Sequence, residues 1–289
     1  MPIMDIAAVI LNWNQADLTK VAARSVADDA AHVYLADNGS RPDELAKIRS
    51  FAQESGMTLI ENGRNVGYGA GNNPAIGRAL ADGHDGLLLM NNDAWAEPGA
   101  LKILTERLET APGVGAVQPM VLAVSGDQVL HTTCSIDARR GHVSWDDTGR
   151  SATEVDTSNR PAAWLSGEAF VGRAEVFRQV GCFDERYFIY FEDVDWSLRV
   201  RRAGWELETV GAAVFRHEVT KSMPSVGAAY HGARSRMLFL RHGLGMSRLR
   251  AMGLCVPIEL RRMVTYASKG RFGQILRGAA PGLASGLRG

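Results

Sequence analysis

The feature that most constrains this chain is a unit repeated through its first half: a short apolar run, a cluster of small polar residues, then a helical stretch. Ile6 to Leu11, Val33 to Ala36, Thr58 to Ile60 and Leu87 to Met90 read as strands. The segments 16–28, 42–55, 72–82 and 98–110 read as helices, with Pro42 and Pro98 where a first turn tolerates proline. The strands carry apolar residues at consecutive positions, which predicts a parallel sheet covered by helices on both faces. A ligand of such a sheet lies beyond the carboxyl ends of its strands. Here Asn12, Trp13 and Asn14 follow the first strand, Asp37 to Ser40 the second, and Asn91 to Asp93 the fourth. Three polar clusters at one rim predict one site.

Residues 114 to 170 are less regular, with β-like pieces at Gly115 to Leu122, Gly141 to Trp145 and Ala163 to Gly172. Beyond residue 225 the pattern is of basic helices with apolar interleaving. With 289 residues and 46% hydrophobic content the chain can bury a substantial core. Its formal net charge of zero conceals an asymmetry: residues 217–289 hold 12 Lys and Arg against 2 Asp and Glu, leaving 20 against 30 for the rest. The tail suits an anionic surface such as phospholipid, a dimer contact or plain solvation, and its helices suit either a membrane-surface segment or a cap on the domain. It lacks an aromatic-rich sheet or a nucleic-acid motif, so nucleic acid is not expected as a partner.

Cys134, Cys182 and Cys255 are far apart and show no metal spacing, which suits reduced core thiols. The apolar stretch before Asn12 is too short for an export signal, and no run reaches the roughly 18 apolar residues of a membrane span. The expectation is a cytoplasmic protein, soluble or peripheral at the inner membrane face.

Two segments carry chemistry. Arg64 to Asn73 is rich in glycine and enters a helix, so Gly67, Gly69 and Gly71 permit close backbone approach and the helix start offers N–H groups to a phosphate. It follows the third strand, whereas a dinucleotide fingerprint follows the first. The run Phe183 to Asp195 crowds Asp184, Glu185, Glu192, Asp193 and Asp195 among aromatic side chains, a setting that raises a carboxylate's proton affinity and suits general-base work. Glu192, Asp193 and Asp195 would also stabilise a helix N-terminus.

Taken in order, Val9 to Asn14, Asp37 to Ser40, Asn65 to Asn73, Asn91 to Asp93, Ser166 to Glu168, Phe183 to Asp195 and His217 resemble the family 2 glycosyltransferases, in the branch that includes bacterial rhamnosyltransferases of cell-surface polysaccharide assembly. The resemblance implies the α/β fold called GT-A, a Rossmann-like, mostly parallel sheet flanked by helices. It implies a catalytic domain over residues 1–222, with a donor half to about 112 and an acceptor half from about 113, followed by a basic helical extension over 223–289. It implies an inverting transfer from a nucleotide-diphosphate sugar, dTDP-rhamnose favoured, to a glycan or lipid-linked acceptor. Asp193 would be the base. Leu11, Asn12, Asp37, Asn65, Gly67, Asn72, Asn92 and Asp93 would hold the donor, and Trp164, Gly167, Glu168 and Glu192 would border the acceptor. Asp93 and His217 would hold Mg²⁺ or Mn²⁺, although Asn91 stands where the family usually has the first acid of its metal motif. A nucleotidyltransferase and a non-catalytic nucleotide-sugar binding protein are the competing classes, and a homodimer stays open.

Overall fold

The structure, a computed structural model, describes residues 4–218, 225–267 and 272–288. The first half runs β1 (Ile6–Asn12), α1 (Ala16–Val26), β2 (His32–Asp37), α2 (Pro42–Ser55), β3 (Thr58–Glu61), α3 (Tyr68–Ala81), β4 (Gly86–Asn91), β5 (Ala94–Ala96) and α4 (Ala100–Thr110). The second half adds β6 (Val114–Ala123), β7 (Val129–His131), the hairpin β8 (Cys134–Asp137) and β9 (His142–Trp145), β10 (Asn159–Pro161), β11 (Ala169–Arg173), α5 (Ala174–Val180), α6 (Glu192–Arg202) and β12 (Glu206–His217). Three helices follow: α7 (Val226–Leu238), α8 (Arg248–Ala267) and α9 (Phe272–Arg288).

The main sheet has the order β10-β12-β6-β11-β4-β1-β2-β3, with β5 on β12 and β7 on β6. Strands β3, β2, β1 and β4 are parallel, as the uninterrupted apolar runs predict, and β6 is parallel to β12. Strand β11 enters antiparallel to both β4 and β6 and joins the two parallel groups. Alternate side chains of β1 feed separate cores: Ile6, Ala8 and Ile10 pack with α1, α2 and α4, while Ala7 and Val9 pack with α3, α5 and α6.

Two helix starts differ from the sequence reading. Helix α3 begins at Tyr68, not near residue 72, so Gly69 and Gly71 lie inside it. A Cβ on Gly69 would sit 2.8 Å from Cβ of Phe183, and one on Gly71 3.0 Å from the Asn38 side chain. Close packing outweighs glycine's poor helix propensity. Pro98 precedes α4 in a turn, because Gly99, with φ of 78°, takes the N-cap.

The C-terminal helices cap the domain. Met237, Leu238, Phe239 and Leu240, the last two in a π-helical turn, are fully buried with Cys255 against Trp164, Tyr187 and Phe191. Each such side chain contributes about 1.5–3 kcal/mol. Helix α9 lies directly on α7, where Gly278, Gly282 and Gly286 face the carbonyls of Val226, Tyr230 and Arg234 with no room for a Cβ. The three cysteines are unpaired, and Cys134 and Cys255 are buried.

Candidate active site

Parallel pairing aligns Asn12 with Asp37 and Leu11 with Asn91, so the polar clusters meet at one rim. They divide there into a buried support and an open wall. Asn12 donates from Nδ2 to Oδ1 of Asp37 at 2.8 Å and accepts from Oγ1 of Thr19 at 2.8 Å. The other Asp37 oxygen accepts from the amides of Gly39 and Ser40 at 3.1 and 3.0 Å. Both residues are buried, so they brace the loop from behind. Asn72 is buried likewise, donating to the Tyr68 carbonyl at 3.0 Å.

In front lies a cavity of about 550 Å³, lined by Leu11, Asn65, Gly67, Asn92 and Asp93 of the expected donor set. Trp13, Asn38 and Tyr68 complete this side. Asn38 ties the wall together, donating to Oδ1 of Asn65 and the Gly67 carbonyl at 3.1 and 3.0 Å and accepting from the amide of Val66 at 3.1 Å. Two of the amides expected to be open to a phosphate at the start of α3 are engaged within the protein: Gly67 N–H donates to Oδ1 of Asn65 at 3.0 Å and Tyr68 N–H to the Phe188 carbonyl at 2.7 Å. A Cβ on Gly67 would fall 2.2 Å from that same carbonyl oxygen. Gly67 serves this joint as well as lining the cavity.

Asp193 stands in the first turn of α6, which Phe191 caps. Its Oδ2 accepts from the amide of Gly167 at 2.9 Å and its Oδ1 from the amide of Val194 at 2.8 Å. Burial pushes Asp193 up to about 6, with those amides pulling the other way. Glu192 beside it is buried, its Oε2 has no hydrogen-bond partner, and burial followed by the charge of Asp193 holds it well above the usual carboxylate range. Tyr68, on the cavity wall, donates to the Gly167 carbonyl at 2.6 Å, so one glycine residue links cavity and carboxylate. A proton acceptor poised near neutrality is the property a general base requires.

Asp93 and His217 meet through the pairing of β5 with β12: Nε2 of His217 is 3.0 Å from Oδ1 of Asp93. Nδ1 of His217 is 3.7 Å from Oε1 of Glu168, whose Oε2 lies 2.8 Å from Nε2 of His131. Burial alone would lower His217, but its hydrogen bond to Asp93 and the charge of Glu168 raise it. For Glu168 the upward push of burial is outweighed by His131. Asp93 lies on the cavity wall and His217 is hydrogen-bonded to it from outside that lining; one carboxylate and one imidazole fit a divalent cation that would take its remaining ligands from diphosphate oxygens and water. Among the described residues no three His, Cys, Asp or Glu side chains form a self-sufficient metal cage.

A family model described as "Glycosyltransferase like family 2" matches residues 4–236. The chain belongs to that family. It is a glycosyltransferase, and its fold is GT-A. It is 29% identical over 228 residues to the N-acetylglucosaminyl-diphospho-decaprenol L-rhamnosyltransferase of Mycobacterium tuberculosis, covering 72% of this chain and 73% of that one. It is 22% identical over 200 residues to the low-salt glycan biosynthesis hexosyltransferase of Haloferax volcanii, covering 68% and 62%. Among solved structures, GalNAc-T7 with UDP, GalNAc and Mn²⁺ superposes with a TM-score of 0.63 at 15% identity, over 77% of this chain and 45% of that one. The mannosyltransferase of Pyrobaculum calidifontis with GDP-Man and Mn²⁺ gives 0.56 at 14%, over 98% and 86%.

This glycosyltransferase brings Gly167, Glu168 and Glu192 around Asp193, but places Trp164 elsewhere. Trp164 is 1% exposed, donates to the Ser135 carbonyl at 3.1 Å and meets Trp145 edge-on at 5.3 Å, so it packs the core beneath the C-terminal cap. Sequence reasoning expected helices beyond residue 225 but missed that α7 borders the site. Its Ser225 cap, Gly227, Ala228 and His231 line the same cavity as Asp93. It also grips the segment leading into Asp193. Arg234 donates to the Arg186 carbonyl and Ser235 to the Ile189 carbonyl at 2.8 Å. The His231 ring stacks on Phe188 at 4.3 Å, and the Arg236 guanidinium sits 5.2 Å over Phe191. Tyr190 and Phe191 hold φ near +70°, a region unfavourable to both, and these contacts keep them there.

Proposed function

We propose that this glycosyltransferase inverts configuration in a single displacement, with Asp193 as general base, and that its donor is dTDP-rhamnose. The acceptor hydroxyl delivers its proton to the Asp193 carboxylate while its oxygen attacks the anomeric carbon. The bond from that carbon to the diphosphate breaks on the opposite side, and nucleoside diphosphate leaves. The observation that carries this reading is a half-buried carboxylate raised to about 6, fixed by the amide of Gly167, whose carbonyl holds Tyr68 of the donor-cavity wall.

Leu11, Trp13 and Asn38 offer a wall for the nucleoside, and Asn65 and Gly67 for the sugar-diphosphate side, while Asp37, Asn12 and Asn72 brace that wall. Asp93 and His217 would hold Mg²⁺ or Mn²⁺, which when bound offsets charge on the leaving diphosphate. The rhamnosyltransferase relative supports rhamnose, and its name supports a lipid-linked saccharide acceptor. No described helix is long and apolar enough to cross a membrane. A place at the cytoplasmic face, where nucleotide sugars meet lipid-linked intermediates, belongs to the same proposal.

A panel of nucleotide sugars with Mg²⁺ or Mn²⁺, read as nucleoside diphosphate released with and without a polyprenyl-diphosphate-linked sugar, tests it. Acceptor-dependent release from dTDP-rhamnose is expected. Release only from UDP or GDP sugars would overturn the donor assignment.

A further inference from the structure

Helix α8 has two unlike faces. Ala251, Cys255 and Glu259 are buried toward the domain. On the opposite side Leu249 is 87% exposed, Leu260 55% and Val264 72%. At 100° per residue Leu249, Val256, Leu260 and Val264 fall within a stripe about 80° wide, with Gly253 inside it and no charged residue interrupting it. Exposed aliphatic side chains occurring singly need no explanation, but a stripe along one helix marks an interaction surface.

The border of the stripe is cationic. Arg248 and Arg250 flank Leu249 and are exposed. Arg250 donates to the Arg139 carbonyl at 3.2 Å, which brings the turn between β8 and β9, with exposed Arg139 and Arg140, beside the start of α8. Four exposed arginines therefore belong to the start of α8 and the turn beside it, and Asp137, 3.8 Å from Arg140, is an acid among them.

We propose that the outer face of α8 docks the protein on an anionic lipid bilayer, with Leu249, Leu260 and Val264 entering the acyl boundary and Arg139, Arg140, Arg248 and Arg250 meeting the headgroup phosphates. An aliphatic stripe with a basic border has the composition of a helix lying in the membrane interface. The basic border favours anionic lipid over a second copy, which would set guanidinium against guanidinium. The surface is formed by α8 and the hairpin turn, none of whose residues lines the donor cavity, so docking is separable from sugar transfer.

The test is co-sedimentation of the full chain with vesicles of phosphatidylcholine alone, or of phosphatidylcholine and phosphatidylglycerol in equal parts. The wild type is expected to bind the anionic vesicles at least about tenfold more tightly, less so as salt screens the arginines. The combined L249S, L260S and V264S variant, and separately R248E with R250E, should each lose about tenfold or more of that binding while nucleoside diphosphate release with a water-soluble acceptor is unchanged. Because the changed side chains are exposed, loss through misfolding is checked by thermal melting. Equal binding to both vesicles, no binding, or full binding by the variants would overturn the proposal. A wild-type dimer that the triple variant converts to monomer, without vesicle binding, would make this face a self-interface instead.

Discussion

Oδ2 of Asp193 accepts a hydrogen bond of 2.9 Å from the amide of Gly167, and the carbonyl of the same residue accepts one of 2.6 Å from the Tyr68 hydroxyl. The carboxylate is thus aimed by the amide of a glycine whose carbonyl is held by the cavity wall. Amide hydrogen bonds stabilise the ionised form and burial the neutral one, and burial is the larger effect.

The first prediction concerns pH. Asp193 must be ionised to accept a proton, so kcat/KM should rise about tenfold per unit up to an inflection near pH 6 and level above it. Burial and the charge of Asp193 hold Glu192 well above the usual carboxylate range, so Glu192→Gln should leave the inflection in place. A shift of the inflection on that substitution would show that the two carboxyls titrate together.

Stability should move in the opposite sense to activity. Folding raises Asp193 from its ordinary range to about 6. The group therefore stabilises the fold where it is protonated in both states, and that contribution is lost as pH rises through 6. Asp193→Asn should melt a few degrees higher than wild type at neutral pH, and this gain should vanish near pH 4. Calorimetric scans at the two values compare them.

A paired glycine test separates the joint from the helix. Gly67→Ala places a Cβ against the Phe188 carbonyl at φ of 94° and should cost more than about 2 kcal/mol, with loss of donor affinity. Gly77, in the same helix with nothing within 4 Å of its Cβ position, should gain up to about 1 kcal/mol as alanine. Chemical denaturation measures both.

The grip of α7 predicts a split between kcat and KM. Ser235→Ala removes the bond to the Ile189 carbonyl and should cost about 1 kcal/mol of stability. It should lower kcat more than donor affinity, because the segment it releases leads into Asp193. Ser235→Thr keeps the hydroxyl and should restore part of the loss; a fall in thermal stability with kinetics intact would make the contact structural only.

The parallel strands and their rim were legible in the sequence because buried strands must be apolar at every position and strand ends must turn into polar loops. Helix α2 was legible to both ends, since Pro42 opens it and Gly56, in the left-handed conformation, closes it. The glycine loop was misread for a physical reason: a Cβ-free helix face looks the same in sequence whether it meets a phosphate or the Phe183 side chain. The polar clusters marked the rim but not which member faces the cavity, so Asp37 and Asn12 were expected where Asn38 and Trp13 stand. His131, which holds Glu168 across 37 residues, and His231, on a helix read only as basic, came together through tertiary packing that has no local spacing.

The central claim is that Asp193 takes the acceptor proton. It is tested most directly by comparing wild type and Asp193→Asn for metal-supported transfer from the preferred donor, with donor affinity measured separately by calorimetry. Transfer reduced by about a hundredfold to ten-thousandfold with donor affinity unchanged is the predicted result. Transfer by Asp193→Asn at a rate near that of wild type would contradict the account and leave the raised carboxylate as a structural feature of the α6 start.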